Sequence, residues 1–457
     1  MRRASLSLFV LLIAAAGVFG GLPYWFGMQA ETAYTEVMQR ITKAKDGEVT
    51  VSQSGYVRGW FSSTADMTLT SASFPISITV SSRIHHGPFP RIDEFQFEPM
   101  MALVKSHIGI PLFKDLPPIN AQTSIAFDGA SRTQVALAAH KIPWGGMEWK
   151  AVSGEITVSA DRKKSKSNLQ VPEISVTSPL GGKQVLTKLS IGVDEQEHAS
   201  GVSLVDSTLS IDKIGAVGDK PFFEGLRVAL KNDIGSGNLL NIHFNADVRA
   251  IRDGDASQGP GQLAMQIRKI DLGALNAYQT QMRDIKKQKN PEQTAMASMG
   301  KLMELLANLA KKAPELELTK FSFKTGGGEI TGLAKFVLDG SNLNLVENPM
   351  LLVAALQGDA EFKVPAGVVK MRAEKAIHSQ LDVYKLEGKI SAAEAGKLTT
   401  ERVAAIVEQA LPKEIGKTAE SMQLVPDGPD YKFSLAFKQG QLTINDKPFD
   451  KPLRLPN

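Results

Sequence analysis

The sequence predicts an α+β, β-rich protein in which an extended curved antiparallel sheet with a few packed helices follows one N-terminal transmembrane helix. Three observations predict this class. An apolar run covers residues 6–26, apolar and polar residues alternate over much of residues 48–270, and helical periodicity appears in shorter segments after residue 270. Alternation with period two is typical of half-buried strands. Turn pairs such as Asp253-Gly254 separate these strands without intervening helices, which favours an antiparallel sheet.

The transmembrane helix is expected within residues 4–26, because a helix needs about 20 apolar residues to cross a bilayer core. Arg2 and Arg3 would keep the amino terminus in the cytoplasm, and Tyr24 and Trp25 stand where an interfacial aromatic belt would lie. We therefore expect a single-pass protein of the bacterial inner membrane with its bulk in the periplasm.

A cleaved secretory signal is the alternative interpretation of this segment. Val18 and Gly20 form a weak cleavage pair, but the apolar character continues to Phe26, and a signal has a shorter apolar region. Gly17 and Gly21 have the small-xxx-small spacing that brings membrane helices together. Glycine is also common in such helices, so the spacing leaves a homodimer open without requiring one.

The composition excludes several kinds of chemistry. The chain has no cysteine, which rules out disulfides, thiol catalysis and cysteine-ligated metals. Its net charge of +4 is spread thinly, with basic runs at residues 162–166 and 286–289. We interpret these runs as a solvated loop and a polar helix end, with anionic lipid headgroups as an alternative contact. Nucleic acid is not an expected partner, because its footprint needs basic residues gathered on one face.

Changes of pattern divide the chain into four segments: residues 1–28 as the membrane anchor, 29–270 as a β-rich periplasmic region, 271–314 as a helical segment, and 315–457 as C-terminal β-hairpins with helices. After the anchor, residues 31–44 are expected to form a helical stalk, with Ala33, Val37 and Ile41 at helical spacing. In the β-rich region the alternation is clearest at residues 156–160, 189–193, 226–230, 242–250 and 263–267.

Three later segments have helical periodicity: residues 274–289, residues 294–312, and residues 398–411, the last of which is expected to end at Pro412. The second carries one apolar stripe, formed by Met299, Leu302, Met303, Leu306 and Leu309. We expect this stripe to pack on the sheet. A pliable methionine-rich face for a hydrophobic ligand is the alternative.

Strands and two hairpins are predicted in the C-terminal segment. Residues 321–323 lead into Thr325 and three glycines, after which residues 330–338 alternate, and a strand at residues 360–364 ends at Pro365. The glycines do not form a phosphate loop, because a strand follows them rather than a helix. The last hairpin joins residues 431–437 to residues 442–444 through Gln439-Gly440.

We find no recognisable catalytic or metal-binding motif, and so assign no catalytic residue, no metal and no cofactor. His85 and His86 are neighbours on a predicted strand and therefore point to opposite faces, which disfavours a shared zinc ion. We expect one of these imidazoles instead to hydrogen-bond inside the turn at Gly87-Pro88.

Two short segments carry a family signature: Gly-Tyr-Val-Arg-Gly-Trp-Phe-Ser-Ser at residues 55–63 and His-Gly-Pro-Phe-Pro at residues 86–90. With the anchor and the closing residues 440–445, they resemble the YdgA-like family of bacterial envelope proteins, whose function is unassigned. One departure is Asp446, where the family pattern has glycine. The resemblance implies an inner-membrane-anchored periplasmic protein that is not an enzyme. More distantly, the body resembles AsmA-like envelope proteins, some of which move lipid along hydrophobic grooves.

These motifs supply the candidate structural or binding residues, which are Tyr56, Arg58, Gly59, Trp60, Phe61, His86, Gly87, Pro88 and Phe89. As a scaffold, Arg58 would lie over an aromatic face or against a buried carboxylate, and Pro88 would stiffen a strand exit. As a binding site, Trp60, Phe61 and Phe89 would line a groove for an acyl chain or a partner.

The leading hypothesis is a non-enzymatic envelope protein whose sheet presents an apolar face to lipid. The alternative is an envelope scaffold or assembly factor that binds another protein through a sheet edge. An enzyme with a site assembled from scattered residues is the third hypothesis and the least supported.

Overall fold

The computed structural model describes residues 21–43, 49–71, 76–91, 94, 96–113, 115–142, 146–178, 182–216, 222–253, 256–285, 291–341, 343, 348, 351–386 and 400–449. Over these residues the protein is β-rich, with antiparallel strands and a few helices, which confirms the predicted class at that level. The chain divides into two compact units, Met1–Asp219 and Lys220–Asn457.

The first unit contains one described helix and a meander of strands. The elements are α1 (Leu22–Lys43), β1 (Val49–Arg58), β2 (Ser62–Ser71), β3 (Ser77–His86), β4 (Ala102–Gly109), β5 (Ile119–Ile125), β6 (Ser131–Leu137), β7 (His140–Lys141), β8 (Met147–Trp149), β9 (Val152–Val158), β10 (Lys164–Thr177), β11 (Lys183–Glu197) and β12 (Ser203–Ala216). Antiparallel pairing gives the order β1-β2-β3-β4-β5-β6-β9-β10-β11-β12. The short strands β7 and β8 pair with each other, and β8 also pairs with β10.

The second unit combines hairpins with helices. Its elements are β13 (Phe223–Gly235), β14 (Leu239–Val248), β15 (Ala250–Asp253), β16 (Ala256–Gln258), β17 (Gly261–Asp271), α2 (Leu272–Ile285), α3 (Pro291–Ala310), β18 (Glu315–Thr325), β19 (Gly328–Leu338), α4 (Leu351–Ala355), β20 (Leu356–Val364), α5 (Ala366–Leu386), α6 (Thr400–Ser421), β21 (Val425–Asp427), β22 (Asp430–Lys438), β23 (Gln441–Ile444) and β24 (Lys447–Pro448). Antiparallel pairing gives the order β13-β14-β17-β18-β19-β20-β22-β23.

Helices pack on limited parts of these sheets. In the first unit, Ala30 and Tyr34 of α1 lie against a cluster of Ala65, Ile84 and Ala102. In the second unit, α5 and α6 bury Val368, Val369 and Ala419 against β20. Helix α3 buries Ala307 and Ala310 against Ala355 of α4. Each sheet is therefore covered where its helices lie, and the burial of the remaining strand faces decides what else the sheets can bind.

Only the end of the expected N-terminal anchor lies among the described residues. Residues 1–20 of the expected anchor lie outside the described residues, whereas residues 22–28 begin α1, a helix that packs on the sheet. The expected stalk is helical as far as Lys43, but Ala30 and Tyr34 face the sheet and Ala33 is exposed. Among the helices that the structure describes, none combines the length and apolarity needed to cross a bilayer.

Two helix predictions are corrected. Helix α6 does not end at Pro412 but continues to Ser421, because Ile415 and Ala419 beyond the proline pack into the cluster with Val368, and such packing outweighs the local cost of proline. The Met299 stripe does not form the buried face of α3: Met299 and Leu302 are exposed, while Leu305, Ala307 and Ala310 are buried. Small residues set this interface because they allow close approach to Ala355.

The predicted hairpins are confirmed. Strands β18 and β19 join through Gly326-Gly327, and β22 and β23 join through Gln439 and Gly440, both with positive φ. Asn445 and Asp446 form the next two-residue loop, with φ of 49° and 62°. Asp446, which stands where the resemblance has glycine, thus holds a backbone conformation that glycine adopts freely.

Replacing Asp446 with glycine should therefore stabilise the second unit by about 0.5–1 kcal/mol. The left-handed conformation costs an L-residue about 1–2 kcal/mol, and glycine avoids this cost. Part of the gain is lost because glycine also increases the conformational entropy of the unfolded chain. Calorimetric unfolding of the full chain measures the change. Asn445→Gly is the matched control and should destabilise, because the Asn445 side chain accepts a hydrogen bond from Ser434 N at 2.8 Å and donates one to Gln423 O at 2.6 Å. A lower melting temperature for Asp446→Gly would contradict the assignment.

Candidate functional site

The two signature motifs lie side by side at one end of the first sheet. Residues 59–61 form the β1–β2 turn, closed by a hydrogen bond from Gly59 N to Ser62 O at 2.9 Å, and His86 ends β3 with its N–H donating to Phe61 O at 2.9 Å. The Gly87 N–H donates to Met101 O at 2.7 Å. The first turns of α1 cover both motifs, so the candidate residues form one helix-docking cluster.

His86 is the centre of this cluster. It is 4% exposed, its Nε2 lies 2.9 Å from Ser63 Oγ, and its Nδ1 lies 3.1 Å from Trp60 O. A proton on Nδ1 would satisfy both contacts, because Nε2 can then accept from the serine hydroxyl. The imidazole of His86 does not bond inside the Gly87-Pro88 turn, because its Ser63 and Trp60 partners belong to the β1–β2 hairpin.

Two glycines allow close packing around this imidazole. A Cβ on Gly27 of α1 would lie 2.5 Å from His86 Cε1, so this side of the ring lies close against the helix backbone. A Cβ on Gly87 would overlap Met100 O, the carbonyl oxygen of the chain that returns toward β4. Gly27 therefore sets the distance between α1 and the sheet, and Gly87 sets the distance between the end of β3 and the chain before β4, because overlap of this kind forces backbone movement.

Arg58 links the hairpin to the helix. Its guanidinium lies 2.9 Å from Glu31 Oε2, 3.3 Å from the Tyr24 hydroxyl and 5.1 Å from the centroid of the Tyr24 ring. Both expected kinds of contact thus occur, although Glu31 is partly exposed rather than buried. An ion pair at this exposure contributes about 0–1 kcal/mol, so aromatic packing and burial hold the helix more firmly than the charges do.

Tyr56 extends the cluster inward. Its ring lies 5.2 Å from that of Tyr34, whose hydroxyl donates to Asp66 O at 3.1 Å. Burial raises the pKa of the Tyr56 hydroxyl, with Ser63 and Arg58 acting in the opposite direction. Burial likewise raises the pKa of Tyr34. Both phenols therefore stay neutral at physiological pH and act as packing groups.

The exposed members of the motifs lie at the rim of the cluster. Trp60 and Phe61 are exposed, Phe89 is half-buried against Phe97 at 6.2 Å, and Pro88 is buried. Ser63 and His86 have the spacing of a nucleophile and base, but Ser63 is 1% exposed, so no substrate can reach it without unpacking α1. Over the described residues no group of three potential metal ligands converges.

A second candidate site is the apolar face of the second sheet, which sequence reasoning could not place. Strand register aligns one residue from each strand into a row: Leu230, Phe244, Met265, Leu318, Ala334, Ala360, Leu435 and Ile444. A flanking row on the same face is Ile242, Ile267, Leu316, Phe336, Gly358, Phe437 and Leu442. Neighbouring strands thus contribute apolar residues to one side in unbroken succession.

The opposite side of the second sheet is polar. The row between those two reads Lys231, His243, Gln266, Glu317, Lys335, Asp359, Ala436 and Thr443. Its charges pair across strands, as in the 2.7 Å contact of Arg268 with Glu317. This side is suited to water, whereas the apolar side needs a cover.

Of the helices that the structure describes, α3 to α6 pack at the two ends of this apolar face. Ile330 packs against the α5–α6 cluster and Leu338 against the α3–α4 cluster, at opposite ends of β19. Between these ends Leu316 is 41% exposed, and Leu230 and Ile267 are also exposed. The middle of the face is therefore only half-buried.

Glycines make this middle part shallow. The Phe362 ring occupies the space where a Cβ of Gly332 would stand, and the Phe336 ring does the same over Gly358. The Phe362 ring also contacts the rings of Phe321 at 5.9 Å and Phe433 at 6.5 Å. Rings that lie flat on the sheet give a broad apolar floor rather than an interlocked core.

The first sheet has the same two-sided character. One row reads Tyr56, Ala65, Ser82, Ser106, Ala121, Val135, Gly154, Leu169, Ile191 and Leu209. The adjacent opposite-facing row reads Val57, Thr64, Arg83, Lys105, Gln122, Gln134, Glu155, Asn168, Gly192 and Thr208, and is polar except for Val57 and Gly192. Helix α1 lies over the β1–β4 part of the apolar side. Beyond it, Ile156 and Leu169 are exposed.

Two surface hollows have a different character. One of about 310 Å³ is lined by Arg91, Glu98 and Arg132 among other residues, and one of about 450 Å³ lies over the β18 bulge beside Leu333, Glu361 and Lys363. The opposite charges within each hollow face each other, at 3.5 Å for Arg91–Glu98 and 3.9 Å for Lys363–Glu361. Neither lining gathers charge of one sign, so neither favours a charged ligand.

Gly27→Ala should destabilise the first unit by up to about 2 kcal/mol, because the overlap with His86 costs about 1–3 kcal/mol and the gain in helix propensity returns roughly 1 kcal/mol. All tryptophans belong to the first unit, so tryptophan fluorescence in denaturant reports on that unit. In a chain that already carries His86→Ala, Gly27→Ala should no longer destabilise the first unit, because the imidazole that the new methyl group would overlap is absent. Equal destabilisation by Gly27→Ala in both backgrounds would show that the close contact is unimportant.

The stability of the first unit should fall as the pH drops below the ordinary histidine pKa of 6.5, because burial lowers the pKa of His86. Between the lowered pKa of His86 in the folded chain and its ordinary pKa of 6.5 in the unfolded chain, only the unfolded chain binds the proton, so acid favours unfolding. Above pH 6.5 His86 is neutral in both states, and its contribution to the free energy of unfolding is constant. Unfolding at several pH values measures this slope. His86→Gln should reduce it, whereas an unchanged slope would assign the dependence to other groups.

Comparison with known proteins gives a family but no function. No curated protein and no solved structure matched the chain. One family model, described as bacterial protein of unknown function (DUF945), matched residues 1–452. The chain therefore belongs to the DUF945 family of bacterial proteins of unknown function.

Proposed function

We propose that this protein is a non-enzymatic, inner-membrane-anchored envelope protein of the periplasm whose sheets hold lipid acyl chains against their apolar faces. The observation that carries the proposal is the register that aligns apolar residues from β13 to β23 while leaving the middle of that face half-buried. Large exposed apolar surfaces mark interaction sites in soluble proteins. The AsmA-like resemblance agrees with this function by architecture alone.

The chemistry of the face favours hydrocarbon over a folded protein. Its two rows consist of aliphatic and aromatic side chains with glycine, and the flat rings of Phe336 and Phe362 give breadth without deep pockets. An alkyl chain forms no hydrogen bonds and needs only continuous apolar contact, worth about 25 cal/mol per Å² buried. A protein partner usually needs polar groups that fix its orientation.

The proposed location supplies such a ligand. The apolar run of residues 6–26 would place the chain in a bilayer, so phospholipid would be the most abundant hydrophobic molecule nearby. The protein would then shelter acyl chains outside the membrane, as required of a component that maintains or carries envelope lipid.

Photo-crosslinking in cells tests the proposal. A photoreactive amino acid is placed at Leu316 on the apolar face or at Leu333 on the polar face of the full chain, and phosphate-labelled lipid is followed on the purified protein. Leu333 is a stringent control because it is 60% exposed, more than Leu316 at 41%. Lipid adducts at position 316 only are expected. One dominant protein adduct there would favour the scaffold alternative, and no adduct would contradict lipid binding.

Leu316→Asp should lower the phospholipid that copurifies with the full chain several-fold, because a carboxylate facing hydrocarbon loses its hydration at a cost of several kcal/mol. Leu333→Asp should leave the amount unchanged, since that side chain faces the polar side. Mass spectrometry of extracted lipid provides the measurement, and far-UV circular dichroism checks that both variants fold. Equal lipid in the two variants would exclude this face as the binding site.

A further inference from the structure

Four exposed aromatic side chains lie at the α1 end of the first sheet. Trp60 and Phe61 in the β1–β2 turn are 53% and 60% exposed, and Trp25 of α1 and Phe127 of the β5–β6 turn are exposed as well. We call these four residues the aromatic rim. Aromatic side chains are rarely so exposed together unless they bind something.

Ring contacts attach Trp60, Trp25 and Phe127 of the rim to the start of α1. The Trp60 ring lies 4.9 Å from that of Tyr24, the Trp25 ring lies 5.0 Å from that of Phe26, and the Phe26 ring lies 5.8 Å from that of Phe127. Strand pairing brings the two turns to the same end of the sheet, because β1–β2 and β5–β6 are hairpins separated by the antiparallel pair β3–β4. The rim is thus one surface formed by a helix and two turns.

Helix α1 begins at the aromatic rim. Tyr24 contacts Trp60 in the turn, whereas Tyr34 contacts Tyr56 and bonds to Asp66, which lie farther from the turn along β1 and β2. The helix therefore runs from the rim toward the middle of the sheet. The described chain begins at the rim end of this helix.

We propose that the aromatic rim docks the first unit onto the membrane surface, with its rings at the boundary between headgroups and acyl chains. Tryptophan and other aromatic rings favour that depth because they combine an apolar body with a polar or polarisable edge. The proposal rests on the membrane attachment of the proposed function, and it adds a second contact that fixes how the sheet stands on the bilayer.

The charges near the rim are compatible with this contact and do not drive it. Arg58 is paired with Glu31, and Asp128 in the β5–β6 turn accepts a hydrogen bond from Ala130 N at 2.9 Å. In the basic β9–β10 turn Asp161 accepts a hydrogen bond from Lys163 N at 3.0 Å, and Lys166 of β10 lies 3.4 Å from Asp194 of β11. Docking should therefore depend on apolar insertion and be insensitive to salt and to anionic lipid.

Depth-dependent fluorescence quenching tests the docking. The chain has no cysteine, so Phe61→Cys or Phe127→Cys can each carry a single NBD label in the full chain. Leu112→Cys is the matched control, because Leu112 is 65% exposed in the β4–β5 connection at the opposite end of the sheet. The proteins are reconstituted into phosphatidylcholine vesicles, with or without phosphatidylglycerol, that contain spin-labelled phosphatidylcholine, and vesicle flotation is measured in parallel.

Labels at positions 61 and 127 should lose most of their fluorescence, while the label at 112 keeps it, with equal results in both lipid mixtures and in high salt. Flotation of the chain with an unquenched label at position 61 would overturn the docking and leave the membrane attachment standing. Failure to float would overturn both. Lipid adducts at position 316 report separately on the apolar sheet face, so a failure of rim docking can be told apart from a failure of lipid binding by that face.

Discussion

The alternation of apolar and polar residues, held in register from strand to strand, is the constraint on which the rest of the structure depends. Because successive strand residues point to opposite faces, a slip of one residue would move a whole apolar row to the polar side. Where a strand is irregular, a β-bulge keeps the apolar side chains on the same face. Between Leu318 and Phe321 two residues intervene where alternation allows one, and a bulge at this point keeps both side chains on the apolar face.

This alternation produces a large apolar surface that the described helices cover only in part. In the first unit α1 covers the strands nearest the amino terminus, and close contact between Gly27 and His86 sets its distance from the sheet. In the second unit the described helices pack at the two ends of β19 and against β20. Leaving aliphatic side chains in water is unfavourable, so a protein that keeps such a face half-open gains stability whenever a hydrophobic ligand covers it.

Much of the strand structure could be predicted from sequence, because period-two alternation and turn residues are local signals. Gln439-Gly440 identified its hairpin correctly for that reason. The continuation of α6 through Pro412 was not predictable, since it depends on distant packing partners such as Val368. The buried face of α3 was missed because small residues, Ala307 and Ala310, define it rather than the larger Met299 and Leu302.

The candidate sites could likewise be predicted from the sequence only in part. The signature motifs gave the residues of the helix-docking cluster, and Ser63 stood in the first motif. Its contact with His86, and the contacts that Gly27 and Glu31 of α1 make, needed the fold. The apolar rows were present in the sequence as alternation, yet only strand register could align Leu230 with Ile444 across the sheet.

The most direct measurement is an electron cryomicroscopy map of the full chain in a phospholipid nanodisc, at a resolution that separates side chains. The account predicts elongated density along the rows that include Leu316 and Leu318, lying over the rings of Phe336 and Phe362. A face completely filled by the protein's own side chains, with Leu316 buried and no additional density, would contradict it.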